Sequence, residues 1–117
     1  MRLILKICAL AAAALISASY ASADEVEACA KYQRKDGSWS HGYKLKGFVM
    51  DGEELNQSVG STRYQKHANY FVVAWRNGGY TSIRLEFGEY EPPAFEKAYY
   101  DQRRRTWSLR KGWHNCN

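Results

Sequence analysis

Residues 68–87 read ANYFVVAWRNGGYTSIRLEF, and this stretch decides the fold class. Two runs rich in β-branched and aromatic residues, 68–76 and 80–87, flank Asn77-Gly78-Gly79. Such runs favour a pleated, half-buried strand. Asn-Gly tolerates the positive φ angles of a type I′ turn, whose twist suits paired antiparallel strands. A two-residue loop at Asn77-Gly78 pairs Trp75 with Tyr80. It places Tyr70, Val72 and Ala74 on one face with Thr81, Ile83 and Leu85, an apolar set expected in the core. The other face then carries Phe71, Val73 and Trp75 with Tyr80, Ser82 and Arg84. A three-residue loop exchanges these partners, because strand side chains alternate with period two.

Outward from the hairpin, short strand-like runs continue in both directions. Upstream, residues 27–33 and 39–50 read as strands separated by an Asp36-Gly37 turn. Asp51-Gly52 signals another turn before a short strand at 55–59, and residues 60–67 read as polar loop. Downstream, Glu91-Pro92-Pro93 interrupts the sheet. Phe95, Ala98 and Tyr99 then fall at helical spacing, so 94–100 predicts one or two helical turns led in by proline. Residues 101–104 form a charged turn and 105–113 the last strand, with Trp107 and Trp113 expected in the core. About six short strands with little helix predict a mainly β domain, a small antiparallel barrel or sandwich.

The first residues predict export. Arg2 and Lys6 precede an apolar run, 7–16, then a small-residue stretch ending Ala21-Ser22-Ala23 before Asp24. This is the layout of a secretory signal peptide, residues 1–23, with an A-x-A cleavage site. The apolar run is too short for a span, which needs about 20 residues. The short basic start and alanine-rich core point to a bacterial leader and to the periplasm or the medium. Cleavage leaves a single 94-residue domain, 24–117, without a membrane span, and removal of Arg2 and Lys6 takes the net charge from +5 to +3. That balance argues against a dedicated nucleic-acid binder, but still favours anionic partners.

Cys8 leaves with the leader, and Cys29 and Cys116 remain near the two ends of the domain. In an oxidising compartment an even pair reads as a disulfide. It predicts first and last strands that lie side by side or face each other across the core.

Catalytic and metal signatures are sparse. His41, His67 and His114 lack the spacing of a zinc site, and no phosphate loop or nucleophile elbow is present. No cofactor is expected. Glu86, Arg84 and His114 supply the residue types of a small metal-independent ribonuclease. Arg103-Arg104-Arg105, with Arg110 and Lys111, is the densest basic run. It suits anion binding or a charged edge strand that discourages aggregation. The aromatic content exceeds what a small core needs, and exposed Trp and Tyr bind sugars or proteins at low entropic cost. The leading expectation is an exported, non-catalytic binding module using Phe71, Trp75, Tyr80 and Arg84. Its partner would be an envelope glycan or an exported protein, such as a hydrolase it inhibits. A ribonuclease and an envelope assembly component using an exposed sheet edge are the alternatives.

Overall fold

The computed structural model describes residues 25–117; the predicted signal peptide lies outside them. Six strands form one antiparallel sheet: β1 Glu25–Tyr32, β2 Tyr43–Asp51, β3 Asn69–Ala74, β4 Tyr80–Arg84, β5 Lys97–Tyr100 and β6 Thr106–Lys111. One helix, α1 Gly52–Val59, lies between β2 and β3. The sheet order is β4-β3-β2-β1-β6-β5, curled into a half-barrel. First and last strands are neighbours, with Ala30 opposite Leu109. Cys29 of β1 is bonded to Cys116, which follows β6.

The hairpin between β3 and β4 forms where the sequence places it, with a different register. Trp75 N–H donates to Gly79 O at 2.8 Å and Gly78 N–H to Trp75 O at 3.0 Å. Gly78 takes φ 91°. This is a three-residue loop closed by a glycine in the left-handed region, the arrangement of a G1 bulge. Ala74 therefore faces Tyr80 and Phe71 faces Ile83. One residue of slip turns every β4 side chain to the opposite face from the two-residue expectation.

The inner face of the curl holds the main core: Phe71, Val73, Ile83, Leu85, Tyr99, Trp107 and Leu109, with Ala28 and Ala30 of β1. The outer face of β2 and β3 holds a second cluster, in which Leu55 of α1 and Tyr64 cover Met50, Tyr70 and Val72. Both faces of β3 are therefore covered, whereas Arg84 on the outer face of β4 stays exposed.

Gly47 of β2 allows the inner core to close. A Cβ there would lie 2.6 Å from Val72 O and 2.8 Å from the Phe71 ring. Gly47→Ala is expected to destabilise the domain by about 1–3 kcal/mol through overpacking. A lowered urea midpoint at unchanged slope would show it.

Two local expectations are corrected. Residues 55–59 are helical, not a strand. Asp51 caps α1, accepting from Glu54 N–H at 2.8 Å, Glu53 and Glu54 favour the positive helix N-terminus, and Gly60 (φ 68°) ends it. Conversely, the end of the stretch predicted as helical turns is β5, whose Tyr99 pairs with Trp107 of β6. Pairing across the sheet overrides the local spacing. Trp107 is core as expected, whereas Trp113 is half-buried beyond β6, donating its indole N–H to Leu45 O at 3.0 Å. β6 is also an interior strand, so its cations do not guard an edge.

The edges are β4 and β5. An isolated bridge joins Ile83 to Asp101. The Gln102 amide completes the seam: Nε2 donates to Tyr80 O and Oε1 accepts from Ser82 N–H, both at 2.8 Å. A side chain thus takes the backbone partners that a further strand would use.

Candidate functional site

The four expected binding residues do not share a surface. Phe71 is fully buried in the inner core. Trp75 lies on the same inner face, half-buried, with its indole N–H donated to Thr81 Oγ1 at 2.8 Å. Tyr80 and Arg84 lie on the outer face, as the observed register requires. The Tyr80 hydroxyl is 2.7 Å from that of Tyr64, and burial together with this hydrogen bond pushes its phenol pKa up. Of the four, only Arg84 is exposed.

Arg84 belongs instead to a groove of about 470 Å³ at the end of the sheet where β2 and β4 finish. One wall is the loop leaving α1, and Asn56 shapes it. The Asn56 amide donates to Tyr64 O and accepts from Tyr64 N–H, each at 3.0 Å. The loop then crosses the first turn of α1, where Gly52 leaves room: a Cβ there would sit 1.8 Å from Gln65 O. Gly52 N–H donates to Ala68 O at 2.8 Å and fixes the crossing. This presents Gln65, Lys66, His67 and Asn69 to the groove.

The opposite wall is the turn after β4. Leu85 N–H donates to Asn69 O at 2.9 Å, which joins the walls at the base. Gly88 takes φ 86° and lets the chain double back. Glu89 anchors the turn: its carboxylate accepts from Glu86 N–H at 2.8 Å, Lys97 Nζ at 3.1 Å and Tyr99 Oη at 2.9 Å. Burial raises the Glu89 pKa, but these donors outweigh it and hold the carboxyl below its ordinary range. On this braced turn Phe87 is fully exposed and Tyr90 is 76% exposed.

The groove thus offers Arg84, Gln65, Asn69, Glu86 and Asp51 as planar polar groups beside two open aromatic rings. Arg84 Nη2 donates to Gln65 Oε1 at 2.6 Å, which orients both side chains. The volume is that of a small-ligand site, and the mix of rings with a few directed polar groups is what such sites use. His67, Asn69, Phe87 and Tyr90 were not among the expected binding residues. Gly88, a turn residue set between Phe87 and Glu89 in a polar stretch, was the available signal for the last two.

The three expected nuclease residues separate. Arg84 and Glu86 both line the groove, with Glu86 paired to Lys97 at 2.6 Å. His114 lies instead in the turn that leads to Cys116, itself bonded to β1. The histidine at the groove is His67. Among the described residues no cluster of His, Cys, Asp and Glu is placed to hold a metal ion, and no helix is long and apolar enough to cross a membrane. Comparison with protein-family models, with curated proteins and with solved structures finds no match to the chain.

Proposed function

We propose that this chain is an exported, non-catalytic module that binds a glycan of the cell envelope in the Arg84 groove. The observation that carries the reading is the pairing of exposed Phe87 and Tyr90 with planar polar side chains around one 470 Å³ groove. Sugar rings stack their C–H faces on aromatic rings and bond their hydroxyl pairs to amide, guanidinium and carboxylate groups. Leaving Phe87 in water forgoes roughly 2 kcal/mol of burial, which a stacked ligand restores. The leader layout and the Cys29–Cys116 bond support export.

Titration with neutral and acidic envelope oligosaccharides, followed by calorimetry or by NMR of the groove amides, tests this. Saturable binding is expected, weakened at least tenfold by Tyr90→Ala with the fold intact. Silence across the panel would sink the glycan reading and leave an exported protein as the partner to seek by co-purification.

His67, Arg84 and Glu86 on one groove favour a second reading, a metal-independent ribonuclease, since these are the acid, phosphate-binding and base types that the reaction needs. Cleavage of RNA in the presence of a chelator, abolished by His67→Ala, would replace the glycan reading.

A further inference from the structure

The strand directions gather three turns at the end of the half-barrel opposite the groove: residues 33–42 between β1 and β2, 75–79 between β3 and β4, and 101–105 between β5 and β6. Two links tie them: Gln33 N–H donates to Thr106 O at 3.0 Å, and Gln102 bonds the start of β4. These turns carry Arg34, Lys35, Arg76, Arg103 and Arg104, all exposed. Their acidic residues are Asp36, which accepts from Ser38, and Asp101, whose buried carboxylate is taken by Arg105. Lys35, Arg76, Arg103 and Arg104 have no ion pair among the described residues. The other end mixes both signs: Glu53, Glu54, Glu86, Glu89 and Glu91 lie there with Lys66, Arg84, Lys97 and Lys111, and Lys97 and Lys111 pair with Glu86, Glu89 and Glu91. Unpaired positive charge is therefore concentrated at the turn-bearing end.

Aromatic rings sit among these cations. Tyr32 and Tyr43 stack at 6.0 Å, His41 lies 4.3 Å from Tyr43, and the Arg34 guanidinium is over Tyr32. Trp39 in the same loop is 40% exposed. Arg34 is fixed there by donation to Trp39 O at 2.6 Å.

We infer that this turn-bearing end docks on an anionic lipid surface. Cations on the tips of three separate turns meet a plane better than they follow a single strand. Trp and Tyr among them are the rings that settle at a headgroup boundary. The uneven charge adds orientation, because the groove end, with its mixed and paired charges, offers the surface no comparable excess of cations. The bound molecule then holds its groove away from the lipid, open to solvent. This surface is independent of the glycan reading, since no residue is shared between the two sites.

The test uses the oxidised, full domain and vesicles of phosphatidylglycerol with phosphatidylcholine at equal parts, or of phosphatidylcholine alone. Binding is expected to the anionic vesicles only and to weaken with added salt. Each cation near such a surface contributes about fivefold to partitioning. The combined variant Lys35→Gln, Arg103→Gln, Arg104→Gln should therefore bind on the order of a hundredfold more weakly. A second variant, Lys35→Gln with Arg76→Gln, should lose roughly twenty-fivefold by the same rule. Both should retain the wild-type urea midpoint and any glycan binding in the groove. The proposal is overturned by equal binding of both vesicle types, by undiminished binding of the variants, or by vesicle silence. It is equally overturned if only a soluble polyanion such as a short RNA binds.

Discussion

Replacing both Cys29 and Cys116 with serine is expected to destabilise the domain by about 4.5 kcal/mol. The bond closes a loop of residues 29–116, and chain-entropy reasoning gives that magnitude for a loop of this length. The denatured chain gains most of the freedom, because in the native state β1 and β6 are already paired and hold the two ends together. A domain of this size has a net stability of about 5–15 kcal/mol, so the variant stands close to the unfolding threshold. Its thermal midpoint should fall by roughly 20–30 °C. Native packing adds a local part to the loss. Gly42 lies against both sulfurs and the Asn117 carbonyl, so close that a Cβ would sit 2.9 Å from Cys29 Sγ. The bond thus holds the terminal segment against the sheet together with the Gly112–Glu27 and Trp113–Leu45 hydrogen bonds. Urea unfolding with and without a reductant measures the total. A loss under about 1 kcal/mol would mean that the β1–β6 pairing and the Trp113–Leu45 hydrogen bond already restrain the ends in the denatured chain.

That bond was legible in the sequence, and it left β1 and β6 either side by side or facing each other across the core, of which the structure has the first. The mainly β class was legible too, from glycine-punctuated aromatic runs. The faces of the hairpin were not. Asn77-Gly78-Gly79 supports a two-residue or a three-residue loop, and a single residue of slip in β4 separates Tyr80 and Arg84, on the outer face, from Phe71 and Trp75, on the inner one. The Asp51–Glu54 cap of α1 was visible in principle as a D-x-x-E pattern, but Asp51-Gly52 also reads as a turn, and only the packing of Leu55 on Met50 and Val72 separates the two. The groove was illegible for another reason. Its walls come from residues 65–69 and 84–90, which the β3–β4 pairing brings together, and no local pattern announces that Gly52 lets one loop cross a helix.

Asp101→Ala should cost about 3–5 kcal/mol, more than any other replacement of a charged residue, because this carboxylate joins the turn, the core and the seam. Its side chain is fully buried. Oδ1 accepts from the N–H groups of Arg103 and Arg105 at 2.8 and 2.9 Å, and Oδ2 accepts from Arg105 Nε and Trp107 Nε1, both at 2.9 Å. The alanine variant strands the buried indole N–H and two turn N–H groups, at about 1–3 kcal/mol for each buried donor left unpaired. The same residue bridges to Ile83 of β4, so the loss loosens the closure of the half-barrel. Burial raises the Asp101 pKa, but donation from Trp107, from the Arg105 and Arg103 backbone and from the Arg105 guanidinium outweighs it, and the net shift is downward. The sign of the pH dependence follows. A carboxyl whose folded pKa is depressed stabilises the native state fully above its unfolded pKa, about 3.9, and loses that contribution as pH falls through the lower folded value. Wild-type protein should therefore weaken steeply below about pH 4, in the window set by that unfolded value. Asp101→Asn keeps the shape but offers a single acceptor atom and no charge. It should be less stable at pH 7 and show a shallower decline in acid. Some slope persists, because Glu89 is depressed as well. Urea midpoints for the wild type and the asparagine variant at pH 7 and pH 3 decide it: two parallel declines would remove Asp101 as the source of the acid sensitivity and leave Glu89 and its donors Lys97 and Tyr99 to account for it.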